Sequence, residues 1–243
     1  VIHFAYGYFF KIPDFSLLYN NTDYKISETG TNFGIFGNPD LEPETTVSYE
    51  LGLRQMIGLK TKIEIKGFYR DARNYVTSGI PIDLGDGKSY YTYVNKDYSN
   101  SRGMIFNIFK QFSEFIGWQL DYTFQIAEGS NSNPNEEFGA VLAGKEPTRS
   151  IIPLDWDQSH NLNGSITTAY KTWGMNTIFQ YGSGYPYTPF ITNYEQQGEI
   201  LSNVLLRNSR RKADTFRMDI KIFKNINFGQ INGRIYLNVH NIL

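Results

Sequence analysis

Apolar and polar side chains alternate at every second position through much of the chain, most cleanly over Gly117–Ala127. Trp118, Leu120, Tyr122, Phe124 and Ile126 share one side; Gln119, Asp121, Thr123 and Gln125 share the other. A period of two belongs to a β-strand, whose side chains point alternately to opposite faces. The pattern predicts nine strands, at Ile2–Lys11, Thr45–Arg54, Leu59–Arg70, Ser99–Phe112, Gly117–Ala127, Gln158–Tyr170, Gly174–Ser183, Ala213–Lys224 and Ile231–Leu243. In the second, Val47, Tyr49, Leu51 and Leu53 oppose Thr46, Ser48, Glu50 and Arg54. The eighth sets Phe216, Met218, Ile220 and Ile222 against Arg217, Asp219 and Lys221. The fourth is apolar on both sides around Met104–Phe109, so its faces stay unassigned.

Length gives these strands a second meaning. About ten residues rise roughly 33 Å, and a tilt of about 45° reduces that to roughly 24 Å, close to the apolar band of an outer-membrane barrel. The connections also alternate. Short turns are expected near Gln55–Gly58, Ser113–Ile116, Lys171–Trp173 and Asn225–Gln230, and long links near Ile12–Pro43, Asp71–Tyr98, Glu128–Asp157 and Gly184–Lys212. Every long link therefore falls at one rim, the asymmetry of outer-membrane barrels.

Alternation alone does not say which face is inside. In a soluble sandwich the apolar face is the core; in a membrane barrel it meets lipid and the polar face lines the lumen. Strand length, one-sided links and aromatics near strand ends (Tyr49, Tyr69, Trp118, Tyr170, Trp173, Tyr181) favour the barrel. Composition agrees. No run of about 18 apolar residues marks a membrane helix, and a barrel needs none. Aromatics make up 16% of the chain, which suits strands and membrane interfaces. The formal net charge of −1 implies no nucleic-acid partner. The absence of cysteine excludes disulfides and thiolate metal sites. Both ends fall inside alternating segments, so the chain reads as a fragment of a longer protein.

Candidate chemistry is sparse. Asp155, Asp157 and His160 lie close together, but carboxylates in a returning loop more often cap turns. His3, His160 and His240 are too scattered for a metal pattern, and no cofactor is expected. Gly139–Glu146 matches most of a phosphate loop, with Glu146 where Ser or Thr is required. Asp83–Gly87 fails the calcium-loop pattern and reads as a hairpin tip. No nucleophile–base pair points to an enzyme.

On the polar face, Glu50, Lys60, Lys62, Lys66, Arg217 and Asp219 are expected to line the lumen, with Arg70 near the first four. Tyr19, Tyr24, Tyr90, Tyr91, Tyr93, Tyr185 and Tyr187 are expected in the long links, where a flat ring with a hydroxyl suits a sugar, peptide or chelate. Arg207, Arg210, Arg211 and Lys212 form a basic cluster on the last link; Arg207 and Arg210 are candidate substrate contacts.

Several segments resemble the barrel of TonB-dependent outer-membrane receptors. GNPDLEPETTVSYELGL (Gly37–Leu53) is similar to the stretch that leads into one of their strands. VNKDYSNSRGM (Val94–Met104), GSGYPYTP (Gly182–Pro189) and RIYLNVHNIL (Arg234–Leu243) follow in the same order. PLDWDQSH (Pro153–His160) is similar to a stretch in the branch that carries an N-terminal carboxypeptidase-regulatory-like domain. The resemblance implies an all-β antiparallel transmembrane barrel, of which residues 1–243 are the C-terminal portion, with the plug domain and terminal strand outside this chain. It further implies a Gram-negative outer membrane and uptake of a siderophore, oligosaccharide or peptide. The implied partners are membrane lipid, the plug, and TonB through the N-terminal region. A soluble, secreted glycan-binding β-protein and a passive porin-like channel are the alternatives.

Overall fold

The alternating segments pair in chain order. The computed structural model describes residues 1–21, 32–85, 87–131, 134–135, 137–139, 151–189, 207–229 and 231–242, without the side chains of 32, 33 and 228. Its elements are β1 (Ile2–Lys11), the helical turn α1 (Phe15–Leu18), β2 (Asn32–Phe36), β3 (Glu44–Ile57), β4 (Thr61–Ser78), β5 (Ile82–Gly85), β6 (Lys88–Ser113), β7 (Ile116–Gly129), β8 (Ile152–Pro153), β9 (His160–Tyr170), β10 (Trp173–Gly182), β11 (Pro186–Tyr187), β12 (Arg210–Arg211), β13 (Thr215–Phe228) and β14 (Ile231–Val239). Nine long strands form the main path β1-β3-β4-β6-β7-β9-β10-β13-β14, and these are the nine that the alternation predicts. Each pair on that path is antiparallel.

Tight turns join the strands at one rim. Backbone with positive φ matches the twist of the flanking strands in a short hairpin. Gly58 (φ 63°) and Gly229 (φ 60°) supply it in two turns, and Glu114 (φ 59°) and Lys171 (φ 55°) in the other two.

Register separates the faces. Phe4, Leu51, Gly67, Met104 and Phe124 lie abreast across five strands. The neighbouring row runs Leu53, Ile65, Phe106, Tyr122, Leu162, Tyr181 and Phe216. The ambiguous fourth strand is thereby resolved: Met104, Phe106 and Ile108 join the apolar face, and Ile105, Asn107 and Phe109 the polar one. The apolar face is open. Phe4 is 68% exposed, Leu51 59% and Leu237 61%. An open apolar face of this breadth is not stable in water and needs a membrane or a partner.

The largest departure from the sequence expectation is the link at Asp71–Tyr98. It is not a loop: β4 runs on to Ser78, and β6 holds 26 residues from Lys88 to Ser113. Ser99 pairs with Gly129 at the end of β7, so the part of β6 before it rises beyond the wall. There it pairs with β2, β5 and the end of β4. At the opposite rim, Leu59 and Lys60 lie in the turn before β4, so the expected strand placement of Lys60 on the polar face is corrected.

The raised hairpin has its own core of Ile35, Leu41, Val76, Tyr91 and Tyr93, with Leu17, Leu18 and Phe138 against it. Burying side chains such as Leu41 and Val76 stabilises by roughly 1.5–3 kcal/mol each. The Gly37–Leu53 segment acts as its clasp. Asn38 donates from Nδ2 to the Tyr93 carbonyl at 2.8 Å and accepts at Oδ1 from the Asp40 amide at 3.0 Å. Asn95 accepts from the Glu42 amide at 2.8 Å and donates to the Glu42 carbonyl at 2.9 Å and the Asn74 carbonyl at 2.8 Å.

Candidate functional site

The long-link rim folds over the polar face and leaves a cleft there. Lys11 and Glu44 are opposite in register at the ends of β1 and β3, with Nζ 3.2 Å from Oε2. Parity with Glu50 puts Glu44 on the polar face. The register of β4 slips between Ala72 and Tyr75, where Asn74 adopts φ 60°. Asn tolerates this left-handed conformation better than most residues. The bulge turns Tyr75 opposite Asp97. The returning segment docks by Leu154, which is 1% exposed and donates its amide to the Ala127 carbonyl at 3.0 Å. The resulting cleft, about 290 Å³, is lined by Lys11, Asp14, Glu44, Tyr75, Asp97 and Trp156 among others.

Three carboxylates against one ammonium give its walls an acidic bias. Asp97 is buried and accepts from Asn131 Nδ2 at 2.7 Å; Asn131 Oδ1 accepts from Arg207 Nη1 at 3.1 Å. Burial pushes the Arg207 guanidinium below its ordinary pKa, and the charge of Asp97 opposes the shift. Trp156 is half exposed and offers a flat apolar face. A stacking surface beside hydrogen-bonding carboxylates suits a small polar ligand.

Beneath the cleft, seven polar side chains lie abreast across seven strands: Arg54, Glu64, Asn107, Asp121, Asn163, Gln180 and Arg217. Arg54 Nη2 is 2.9 Å from Glu64 Oε1, and Arg217 Nη2 is 2.9 Å from Asp219 Oδ2 in the next row. Such a face needs water or a polar partner against it. Glu50, Lys62, Lys66, Arg217 and Asp219 all have this parity, and Glu50 meets Arg70 at 3.4 Å.

Asp157, 1% exposed, binds the last long link to the rim. Its Oδ1 accepts from the Ala127 amide at 2.9 Å, its carbonyl from Arg211 at 2.9 Å, and its Oδ2 forms an ion pair with Arg211. Asn208 donates to Asp155 at 2.7 Å, and His160 Nδ1 lies 2.8 Å from the Tyr122 hydroxyl. The three residues therefore do separate jobs and share no site. Asp214 accepts from the Tyr181 hydroxyl at 2.7 Å and the Gly184 amide at 3.0 Å, which hold its carboxyl below the ordinary range.

The tyrosines divide. Tyr91 and Tyr93 are both 4% exposed in the core of the raised hairpin, on a strand rather than in a loop. The Tyr93 hydroxyl donates to Asn135 at 2.7 Å, and burial raises its pKa. Tyr90, also on β6, stands edge-on to Phe36 of β2, and Tyr19 stacks on Phe15 at α1. Tyr185 and Tyr187 are partly exposed, and Tyr187 pairs with Arg210 in the small β11–β12 ladder. Tyr24 and residues 140–146 of the phosphate-loop match lie outside the described residues. Sequence reasoning missed Lys11, Glu44, Asp97 and Trp156. Asp97 carries no local signal: Tyr91, Tyr93, Asn95, Asp97 and Ser99 share one side of β6, but Tyr90, Thr92, Val94, Lys96 and Tyr98 on the other side give no apolar–polar contrast.

The family model for the TonB dependent receptor-like β-barrel matches residues 1–242. The chain belongs to that family. This makes the sheet a section of a transmembrane β-barrel and sets aside the soluble sandwich; the family comprises receptors and transporters rather than enzymes. No curated protein matches. Among solved structures, the outer membrane transporter YddB of Escherichia coli aligns with a TM-score of 0.60 at 12% identity, covering 88% of this chain and 31% of that one. The siderophore receptor PirA of Pseudomonas aeruginosa gives 0.54 at 14% identity, covering 99% and 36%. The ferripyoverdine receptor of the same organism gives 0.58 at 12% identity, covering 99% and 27%. The chain thus spans about a third of the length of these neighbours, which share its fold.

Proposed function

We propose that this chain is part of the wall of an outer-membrane transporter that takes up a scarce nutrient with energy delivered by TonB. Membership of the receptor family over residues 1–242 carries the reading. The polar face lines the lumen and rests against a plug domain of the same protein, which TonB reaches through an N-terminal region. The cleft at the long-link rim then lies where cargo enters, and Asp97, Glu44 and Trp156 contact it, with Tyr185, Tyr187 and Arg210 on the same rim. The walls favour a polar nutrient that can donate hydrogen bonds and present a flat face to Trp156, such as an oligosaccharide, a peptide or a hydroxyl-rich chelate.

The test is growth of cells carrying the complete receptor on ferric siderophores, oligosaccharides and peptides, each as the limiting nutrient. One class is expected to support growth only when both receptor and TonB are intact. Asp97→Asn with Trp156→Ala is expected to reduce that uptake by about ten-fold while the barrel still assembles. Uptake that persists without TonB would instead mark a passive channel.

A further inference from the structure

The apolar face carries a groove of about 480 Å³ at the short-turn rim, between two hairpin tips. Phe115, in the turn between β6 and β7, and Tyr170 and Trp173, on either side of the turn between β9 and β10, stand along it. Thr168, Met175 and Ile222 also line it. The register sets Thr168 between Ile116 and Met175, so a short side chain interrupts a row of long ones. The feature is a recess in the membrane-facing wall.

Two lysines stand over it. Lys224 is opposite Trp173 in register, with Nζ 4.9 Å from the ring centroid. Lys171 places Nζ 5.3 Å from the centroid of Tyr170. A lysine at a membrane boundary lays its stem on apolar surface and keeps its ammonium at the headgroup level. The outward residues of β10 run from Trp173 to Tyr181, about 26 Å along the strand and, at a tilt of about 45°, roughly 19 Å across the membrane, so the two rings stand near the ends of the apolar band as in the aromatic girdles of a barrel wall. Trp173 and its lysines therefore sit where hydrocarbon gives way to headgroups.

Charge on this face is uneven. Toward the long-link rim, Arg102 pairs with Glu128 at 2.7 Å and Arg73 with Asp71 at 3.0 Å. At the short-turn rim, Lys110, Lys171 and Lys224 stand against Glu114 alone among the described residues of that end. An apolar recess under an excess of cations, at headgroup depth, matches a molecule with an acyl chain and a phosphate.

We propose that this recess binds a glycerophospholipid of the leaflet at the short-turn rim. An acyl chain lies along Thr168 and Met175 between the Phe115 and Trp173 rings, and the phosphate sits between Lys171 and Lys224. The proposal rests on the membrane-spanning barrel and not on what the barrel transports, so a failed uptake experiment leaves it standing.

The test uses the complete receptor, purified from outer membranes in mild detergent and weighed by native mass spectrometry. Its folded state is followed by heat-modifiable mobility on a gel. The wild type is expected to retain phospholipid and to bind added dioleoylphosphatidylglycerol better than dioleoylglycerol, which lacks the phosphate. Lys171→Gln with Lys224→Gln is expected to reduce retention about five-fold. Thr168→Trp fills the recess and should reduce it with both charges intact. Lys62→Gln with Lys66→Gln, on the other face, should leave it unchanged. Three results would overturn the proposal: a bare wild type indifferent to the phosphate, equal retention by all folded variants, or a protein seated in the recess in place of lipid.

Discussion

Single positions in this sheet are judged by what lies across the strand rather than by residue type. Gly103 and Gly67 are neighbours on β6 and β4, one residue out of register, yet their surroundings are opposite. A Cβ at Gly103 would overlap the Phe124 carbonyl oxygen and press the Phe68 ring, whereas one at Gly67 would meet open space. Backbone cannot yield as a side chain can, so Gly103→Ala is expected to cost about 1–3 kcal/mol. Gly67→Ala should be neutral or slightly stabilising, because it restricts the unfolded chain. Urea unfolding of the complete receptor in vesicles separates the two, and equal midpoints would contradict the packing described. Two aspartates differ in the same way. Asp157→Ala strands the Ala127 amide and the Arg211 guanidinium, at a cost of about 2 kcal/mol after allowing for the partial exposure of Arg211. Asp71→Ala breaks an exposed pair with Arg73 and should change stability by less than about 1 kcal/mol. The thermal midpoint of the folded gel band should fall for the first and hold for the second.

The strands were legible because their two faces meet different media. Leu120 and Ile220 sit mid-strand on the apolar face, and Gln119 on the polar one. Leu120→Arg or Ile220→Arg is therefore expected to cost about 2–4 kcal/mol at mid-membrane, and Gln119→Arg little. An outer-membrane assembly assay that tolerates all three equally would refute the face assignment. Where both sides of a strand are apolar, as at Met104–Phe109, the sequence holds no contrast, and only pairing with β4 and β7 assigns the sides. The raised hairpin was hidden for another reason. Its strands are buried by a clasp from far along the chain, Asn38 and Glu42 against Tyr93 and Asn95, and that contact leaves no local period. Tyr91 and Tyr93 consequently read as loop aromatics although they form a core. The cleft was illegible because Lys11, Asp97 and Trp156 come from three separate segments and meet only through the bulge at Asn74 and the docking of Leu154.

At the scale of the molecule, the sheet has two free sides. On the main path β1 pairs only with β3, and β14 only with β13, among the described residues. Every other long strand has two neighbours, so its backbone amides and carbonyls are spent within the sheet. In hydrocarbon an open edge leaves such groups without water or a partner, at several kcal/mol each, which is why spanning sheets close. The neighbours by structure are about three times as long as this chain and share its fold, and further wall strands of that kind would give the two edges partners. The consequence is open to experiment. Residues 1–243 refolded alone in detergent should expose β1 and β14 and associate edge to edge. Size-exclusion chromatography with light scattering should show a broad series of oligomers, and cysteines placed at Phe4 and Leu237 should cross-link between chains. A monodisperse monomer whose two cysteines join within one chain would mean that nine strands close by themselves, and the polar face would then enclose a lumen too narrow for a plug.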